Sequence, residues 1–100
     1  MIAEFAVFPL DGDHMSEDVA KVIKTLEATG LDYRLGPMGT CVEGSWEQVL
    51  VAIQRCHQAV AAGHGRVITT IVIDDRKDQL HSLSEMITRV EQQLGQQVKH

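Results

Sequence analysis

One short segment, residues 36–44, combines side chains that could bind a small charged molecule. It joins a glycine-rich turn to a short strand that carries one hydroxyl, Thr40, and one carboxylate, Glu43. A hairpin turn needs glycine, but the packed face of a strand ordinarily carries apolar or β-branched residues. A buried carboxylate costs free energy unless it is paired or hydrogen-bonded. Glu43 is therefore predicted to meet either a fixed cation of the protein or a cationic ligand.

A second group of charged residues follows the most apolar segment of the chain, residues 66–74. Asp74, Asp75 and Arg76 stand where that predicted strand leaves the sheet, and loops at strand ends often carry function. Adjacent strand residues point to opposite faces of the sheet, so Asp74 and Asp75 are not expected to coordinate the same ion. The favoured interpretation is an ion pair between Arg76 and an acid, and Asp74 and Arg76 are kept as candidate ligand-binding residues.

The sequence carries no signature of catalysis or of metal binding. It has no glycine-rich phosphate loop and no nucleophile elbow. Cys56 and His57 are adjacent on a predicted helix and cannot point to one metal ion. Cys41, in the middle of a strand, is predicted to be an inert thiol, and His57 is either a core histidine or part of the site. We expect no catalytic residue, no metal ligand and no enzymatic activity.

Length and charge narrow the class of protein. The 100 residues predict a single domain over residues 1–95 with a polar tail at 96–100. A net charge of −5 and nine scattered basic residues argue against a nucleic-acid partner. No apolar run could span a bilayer, and no basic segment opens the chain as in a signal peptide. The two cysteines fall in different predicted elements, which favours reduced thiols and a cytoplasmic protein.

Apolar periodicity predicts an alternation of strands and helices. The first strand is predicted over Ile2 to Pro9. Ser16 is predicted to be the N-cap of a helix that ends at Gly30. Residues 31–44 are predicted to form two strands with a break near residues 37–39. Ser45 opens a second helix, with Gln48 in capping-box position. Residues 66–74 form the last strand, and Ser82 to Leu94 a third helix that stops at Gly95.

This order predicts an α+β fold, the ferredoxin-like split βαβ sandwich (βαββαβ) with an additional C-terminal helix. The helices of such a sheet cover one face. The first and last predicted strands nevertheless offer apolar residues to both faces, so something must cover the open one. A second copy of the sheet would do so most completely, and we expect a homo-oligomer, at least a dimer.

An ordered set of motifs runs along the chain: Pro37-Met38-Gly39-Thr40, Val42-Glu43-Gly44, His57 and the run from Arg66-Val67 to Ile73-Asp74-Asp75-Arg76. This set resembles the family of small thiamine-binding proteins, formerly known as an uncharacterised protein family. The resemblance covers nearly the whole chain. It implies a ferredoxin-like fold, tetramers built from dimers, and binding of thiamine or its hydroxymethylpyrimidine moiety without catalysis.

Such a ligand sets requirements that residues 36–44 can meet. Thiamine joins a permanent thiazolium cation to an aminopyrimidine, so its site needs a carboxylate, a hydrogen-bonding group and flat apolar walls. Glu43 is predicted to supply the carboxylate, Thr40 the hydroxyl, and Met38 with Gly39 a thin wall; no other cofactor is expected. Two alternatives stay open. Glu43 could pair with Arg66 or Arg34, or it could act as an acid or base in a small enzyme or regulatory subunit.

Overall fold

Four strands and three helices make up the protein in a computed structural model that describes residues 1–12, 15–77 and 83–96. The elements are β1 (Ile2–Pro9), α1 (Met15–Thr29), β2 (Asp32–Leu35), β3 (Thr40–Glu43), α2 (Trp46–Ala61), β4 (Val67–Asp74) and α3 (Leu83–Leu94). Their order confirms the predicted βαββαβ arrangement with an added C-terminal helix. The predicted helix start at Ser82 and residues 97–100 of the predicted tail lie outside the described residues.

The sheet is antiparallel throughout, with strand order β2-β3-β1-β4. Phe5 in β1 lies opposite Thr40 in β3 and opposite Ile71 in β4. The strand order places β3 between β1 and β2, so α1 must cross over β3 to join them, which is the split βαβ unit. The predicted ferredoxin-like fold is confirmed.

The core lies between α1, α2 and one face of the sheet, called here the helix face. Alternation along β1 and β3 puts Ala3, Phe5 and Val42 on this face, and all three are buried. The helices contribute the remaining apolar side chains of the core, which are Val22, Leu26, Val49, Ala52, Ile53, Cys56 and Val60. Contacts of this kind, at roughly 25 cal/mol per Å² of apolar area buried, hold the helices on the sheet.

The helix ends follow local signals with one difference. At the start of α2 the Ser45 hydroxyl accepts a hydrogen bond from the Gln48 amide, and the Gln48 side chain accepts one from the Ser45 amide, both at 3.1 Å. This is the predicted capping box. Helix α1 begins at Met15, so Ser16 lies in its first turn and is not the N-cap. Helix boundaries shift by a residue or two in this way because the terminal turn is weakly held.

The buried stripe of α2 differs from the predicted one. The apolar periodicity of this helix predicts one packed stripe of Trp46, Val49, Leu50, Ile53, His57 and Val60. Trp46 and Leu50 are nevertheless more than two-fifths exposed. Ala52 and Cys56 are buried instead, with the Cys56 sulfur 3.7 Å from the Val22 carbonyl of α1. Because α2 packs against both α1 and the sheet, its small residues face the crowded side, where they let the two helices approach closely.

The other face of the sheet, called here the open face, is only partly covered. Helix α3 begins against β2 and β3, where Leu83 is buried. Across the remainder of this face Phe8, Ile68 and Val72 stay exposed, Val72 by 67 %. Strand β4 is therefore apolar on both faces, as predicted. Within the described residues, no helix combines the length and apolar character that crossing a membrane requires.

Candidate functional site

A cleft opens beside the turn between β2 and β3, and we call it the turn cleft. Its walls are the second half of β1, the first turns of α1 and residues 35–40, and it encloses about 610 Å³, its open mouth included. Met38, Gly39 and Thr40 line it together, so the structure brings these three predicted site residues to one place.

Two glycines make the turn thin. The Gly36 amide donates a 2.9 Å hydrogen bond to the Gly39 carbonyl, which closes the turn. A Cβ added at Gly36 would lie only 2.9 Å from that same carbonyl oxygen, and one added at Gly39 would lie 3.1 Å from the Phe5 carbonyl oxygen. Gly36 thus requires a residue without a side chain, and a Cβ at Gly39 would fit only if its neighbour moved by a few tenths of an ångström. Bare backbone therefore forms part of the cleft wall.

Thr40 presents a hydroxyl from the floor of the turn cleft. It pairs with Phe5 and Leu35 in the sheet and points to the helix face, where it is 5 % exposed. Within residues 1–12, 15–77 and 83–96, no side chain or backbone group hydrogen-bonds this hydroxyl. Buried polar groups in proteins normally have partners. Thr40 therefore retains hydrogen-bonding capacity that a ligand in the cleft can use.

A buried carboxylate, Asp18, also lines the cleft, and the sequence analysis did not single it out. Its side chain is 5 % exposed, and both of its oxygens lie 3.0–3.1 Å from Nε2 of His64. The other ring nitrogen of His64 lies 2.8 Å from the Asp11 carbonyl. Asp18 and His64 are separated by 46 positions in the chain, and only the fold brings them together.

These contacts shift two pKa values. The hydrogen bond to Asp18 raises the pKa of His64 above 6.5; burial opposes that rise, and Asp11 adds to it. The hydrogen bond from the Gly65 amide lowers the pKa of Asp11 below 3.8, and the charge of His64 lowers it further. Both shifts favour the charged forms of the pair.

Glu43 lies on the open face, away from the turn cleft. Its Oε2 accepts a 3.1 Å hydrogen bond from the Leu83 amide at the start of α3, where the helix dipole favours a negative charge. The alternative ion pairs do not form among the described residues. Arg34 bonds to Asp32 and Ser84 instead, and Arg66 lies beside the Pro9 end of β1, whereas Glu43 lies beside the Ile2 end.

Asp74 and Arg76 belong to the same region as Glu43. Ile2 stands opposite both Glu43 and Asp74 in the sheet, so these two carboxylates flank it on the open face. The Arg76 Nε lies 3.9 Å from Asp74 Oδ1, which is the predicted pairing of Arg76 with an acid, and both side chains are more than half exposed. Asp75 diverges from Asp74 and accepts a 3.1 Å hydrogen bond from the Trp46 indole.

The remaining candidate residues take structural positions. Both cysteines are free, and burial raises the pKa of Cys56 to about 11. Cys41 lies half-buried on the open face, where burial and then the charge of Glu4 raise its pKa. His57 bonds through Nδ1 to the Thr69 hydroxyl at 2.5 Å, which links α2 to β4. Within the described ranges, no three His, Cys, Asp or Glu side chains converge as metal ligands.

Comparison with known proteins agrees with this architecture. A family model described as "Thiamine-binding protein" matches residues 3–91. An uncharacterised protein from the glkA 3′ region of Staphylococcus xylosus is 34 % identical over 101 residues, covering 94 % of each chain. Bacillus subtilis YqgV is 34 % identical over 100 residues, covering 93 % of this chain and 96 % of YqgV.

Solved structures show the same fold. A hypothetical protein of Methanocaldococcus jannaschii superposes with a TM-score of 0.82 at 29 % identity, over 89 % of this chain and 93 % of that one. A Thermotoga maritima protein, provisionally assigned to thiamine biosynthesis or salvage, gives a TM-score of 0.77 at 20 % identity, over 89 % of this chain and 96 % of that one. With the family model spanning nearly the whole chain, these matches show that the protein belongs to the thiamine-binding protein family.

Proposed function

We propose that the protein binds thiamine, or the hydroxymethylpyrimidine moiety of thiamine, in the turn cleft and releases it unchanged. The observation that carries the proposal is the buried Thr40 hydroxyl, which has no partner in the described part of the chain and faces an apolar cleft. The family to which the chain belongs supplies the ligand class.

The shape and chemistry of the cleft suit a flat heterocycle. Phe5, Val7 and Val22 line the cleft with apolar side chains, and the bare backbone at Gly39 lets a ring approach closely. Met38 stands at the mouth, 83 % exposed, and its flexible thioether can close over an aromatic ring. The Thr40 hydroxyl can then donate to a ring nitrogen or accept from an exocyclic amine.

Release of an unchanged ligand is part of the proposal. The raised pKa values of Cys41 and Cys56 keep these thiols protonated at neutral pH, a form that is a poor nucleophile. Glu43, the predicted acid or base of the enzymatic alternative, is hydrogen-bonded at the start of α3 on the other face of the sheet. Neither observation supports chemistry at the cleft.

The proposal includes a homo-oligomer, a tetramer built from dimers, in the cytoplasm. The exposed apolar side chains Phe8, Ile68 and Val72 on the open face are the surface that a second copy of the sheet would cover. Free cysteines are typical of a reducing compartment, which supports the cytoplasm.

Calorimetric titration of the wild type, Thr40→Val and Glu43→Gln with thiamine, thiamine pyrophosphate and hydroxymethylpyrimidine tests the site. We expect Thr40→Val to weaken thiamine binding about tenfold, the scale of one hydrogen bond, and Glu43→Gln to leave it unchanged. The reverse result would move the site to the open face, where Glu43, Asp74 and Arg76 lie. No heat from the wild type with any of the three compounds would overturn the proposal.

A further inference from the structure

Asp18 is the most deeply buried carboxylate described near the turn cleft. It stands in the first turn of α1, lines the cleft with Thr40, and its side chain is 5 % exposed. Burial of an ionised carboxylate costs several kcal/mol unless charge and hydrogen bonds compensate. The groups that offset the burial cost of the Asp18 carboxylate therefore determine which of its lone pairs stay available to a ligand.

His64 supplies that compensation, and its geometry fixes its charge state. Its Nδ1 faces the Asp11 carbonyl at 2.8 Å, and its Nε2 faces the two oxygens of Asp18 at 3.0 and 3.1 Å. Both nitrogens thus face acceptors, and a neutral imidazole has only one N–H to donate. The imidazolium form satisfies both contacts, and the raised pKa of His64 agrees with that form.

The charged groups around His64 come from two neighbouring elements. Asp11, in the loop after β1, places Oδ1 3.3 Å from Nδ1, and Asp18 belongs to α1. Lys21, one turn further along α1, lies 3.8 Å from Asp18 and is 45 % exposed. In the described part of the chain, the imidazolium is therefore the buried cation next to Asp18, and Lys21 is a solvated one.

Asp18 keeps capacity for a ligand. An ionised carboxylate has about four lone-pair sites, and a single imidazolium N–H occupies the side that faces His64. We propose that Asp18 is the residue that selects a positively charged amino-heterocycle in the turn cleft, and that His64 is its positioning residue. This inference rests on the proposed function, because it takes the ligand to bind in the same cleft.

A proton linkage follows from that arrangement. A bound cation and the His64 imidazolium would lie on either side of one carboxylate, and like charges at such distances repel each other. Binding of the cation must then lower the pKa of His64 and release part of a proton to the buffer. By linkage, thiamine affinity rises with pH through the pKa of the free protein and becomes constant above it.

The test is calorimetric titration of the wild type with thiamine in two buffers of different ionisation enthalpy, matched in pH. Across a series of pH values we expect little release at low pH, where His64 stays protonated with or without ligand. Release should peak between the His64 pKa of the complex and the raised pKa of the free protein, and vanish at higher pH, where both states are deprotonated. His64→Gln should abolish the release and flatten the affinity profile. His57→Gln, bonded to Thr69 outside the cleft, should preserve both.

A ligand comparison separates selection by charge from general damage to the fold. Asp18→Asn should weaken thiamine about tenfold or more, the scale of a contact to a charged group, and should affect hydroxymethylpyrimidine, which lacks the thiazolium, much less. Thiamine binding with equal heats in both buffers across this pH range would overturn the inference and leave the proposed function standing. Absence of wild-type binding would overturn both. The wild-type measurement decides the question even if Asp18→Asn does not fold.

Discussion

Thr40 and Glu43 begin and end the same four-residue strand but lie on opposite faces of the sheet. Thr40 is buried on the helix face beneath the turn cleft, and Glu43 accepts a hydrogen bond from Leu83 on the open face. Side chains alternate along a strand with a period of two, so positions three apart must diverge. One ligand molecule in the cleft can reach Thr40 but not Glu43 without crossing the sheet.

Replacement of Gly36 by alanine is expected to destabilise the protein by about 1–3 kcal/mol, the range for overpacking at a fixed site. The new Cβ would lie 2.9 Å from the Gly39 carbonyl oxygen, which is backbone and cannot rotate away. Gly63→Ala is the matched control, because its Cβ would meet only the flexible Lys21 ammonium at 3.6 Å. Urea denaturation of both variants measures the difference, and equal stabilities would contradict the role given to the turn.

Glu43→Gln is expected to lower the free energy of unfolding by about 0.5–1 kcal/mol. The amide oxygen can still accept the hydrogen bond from Leu83, but the negative charge at the start of α3 is lost. Glu4→Gln, an exposed change on the same face, should stay within about 0.5 kcal/mol of the wild type. Chemical denaturation checks both values. A higher free energy of unfolding for Glu43→Gln would mean that the Glu43 charge destabilises the folded protein in the absence of a bound cation.

The stability of the protein should depend on pH through His64. Because the pKa of His64 is raised in the folded state, its contribution is fully present below pH 6.5, the ordinary value. It is lost as the pH rises through the higher folded-state pKa. The lowered pKa of Asp11 acts at the other end, where its contribution is present above pH 3.8 and lost as the pH falls below that value.

Urea denaturation at a series of pH values measures this dependence in the wild type and in His64→Gln. The variant should show a smaller decline in stability above pH 6.5, whereas His57→Gln should retain the wild-type decline. Parallel curves for the wild type and His64→Gln would show that the protonation of His64 is not linked to folding.

The proposed homo-oligomer predicts a lower mass in solution for Val72→Lys. Val72 is 67 % exposed on the open-face side of β4, where a second sheet would have to pack, and a lysine there would bring a charge into the contact. Gln58→Lys on the exposed side of α2 is the control. Light scattering should give a lower mass for Val72→Lys only. An unchanged mass would place the contact between protomers elsewhere.

Local signals in the sequence predicted the elements well. The Ser45 and Gln48 capping box depends on residues three apart, and its prediction is confirmed because both partners lie in one turn. The alternation of elements also determined the fold, since a chain with this order of strands and crossovers has few ways to form one sheet. The predicted start of α1 is wrong by two residues, since an N-cap at Ser16 would begin the helix at position 17 and it begins at Met15, which is within the usual uncertainty of a helix end.

The candidate site was only partly accessible from sequence. The sequence alone predicts that Met38, Gly39 and Thr40 lie close together, because they are consecutive. Asp18 and His64 are 46 positions apart in the chain. Their contact depends on how the first turn of α1 packs against the loop after α2, and a single sequence does not predict that packing. Glu43 was grouped with Thr40 by nearness in sequence, although the period of a strand already separates them.

Strand β4 has a consequence for the handling of the protein. It forms one edge of the sheet, and among its eight residues Asp74 alone carries a charge, at the very end. Native edge strands are usually protected from pairing with other chains by charges, prolines or bulges along their length. The β4 edge thus offers a template for pairing with other chains, and the protein is expected to aggregate at high concentration unless another chain covers this edge.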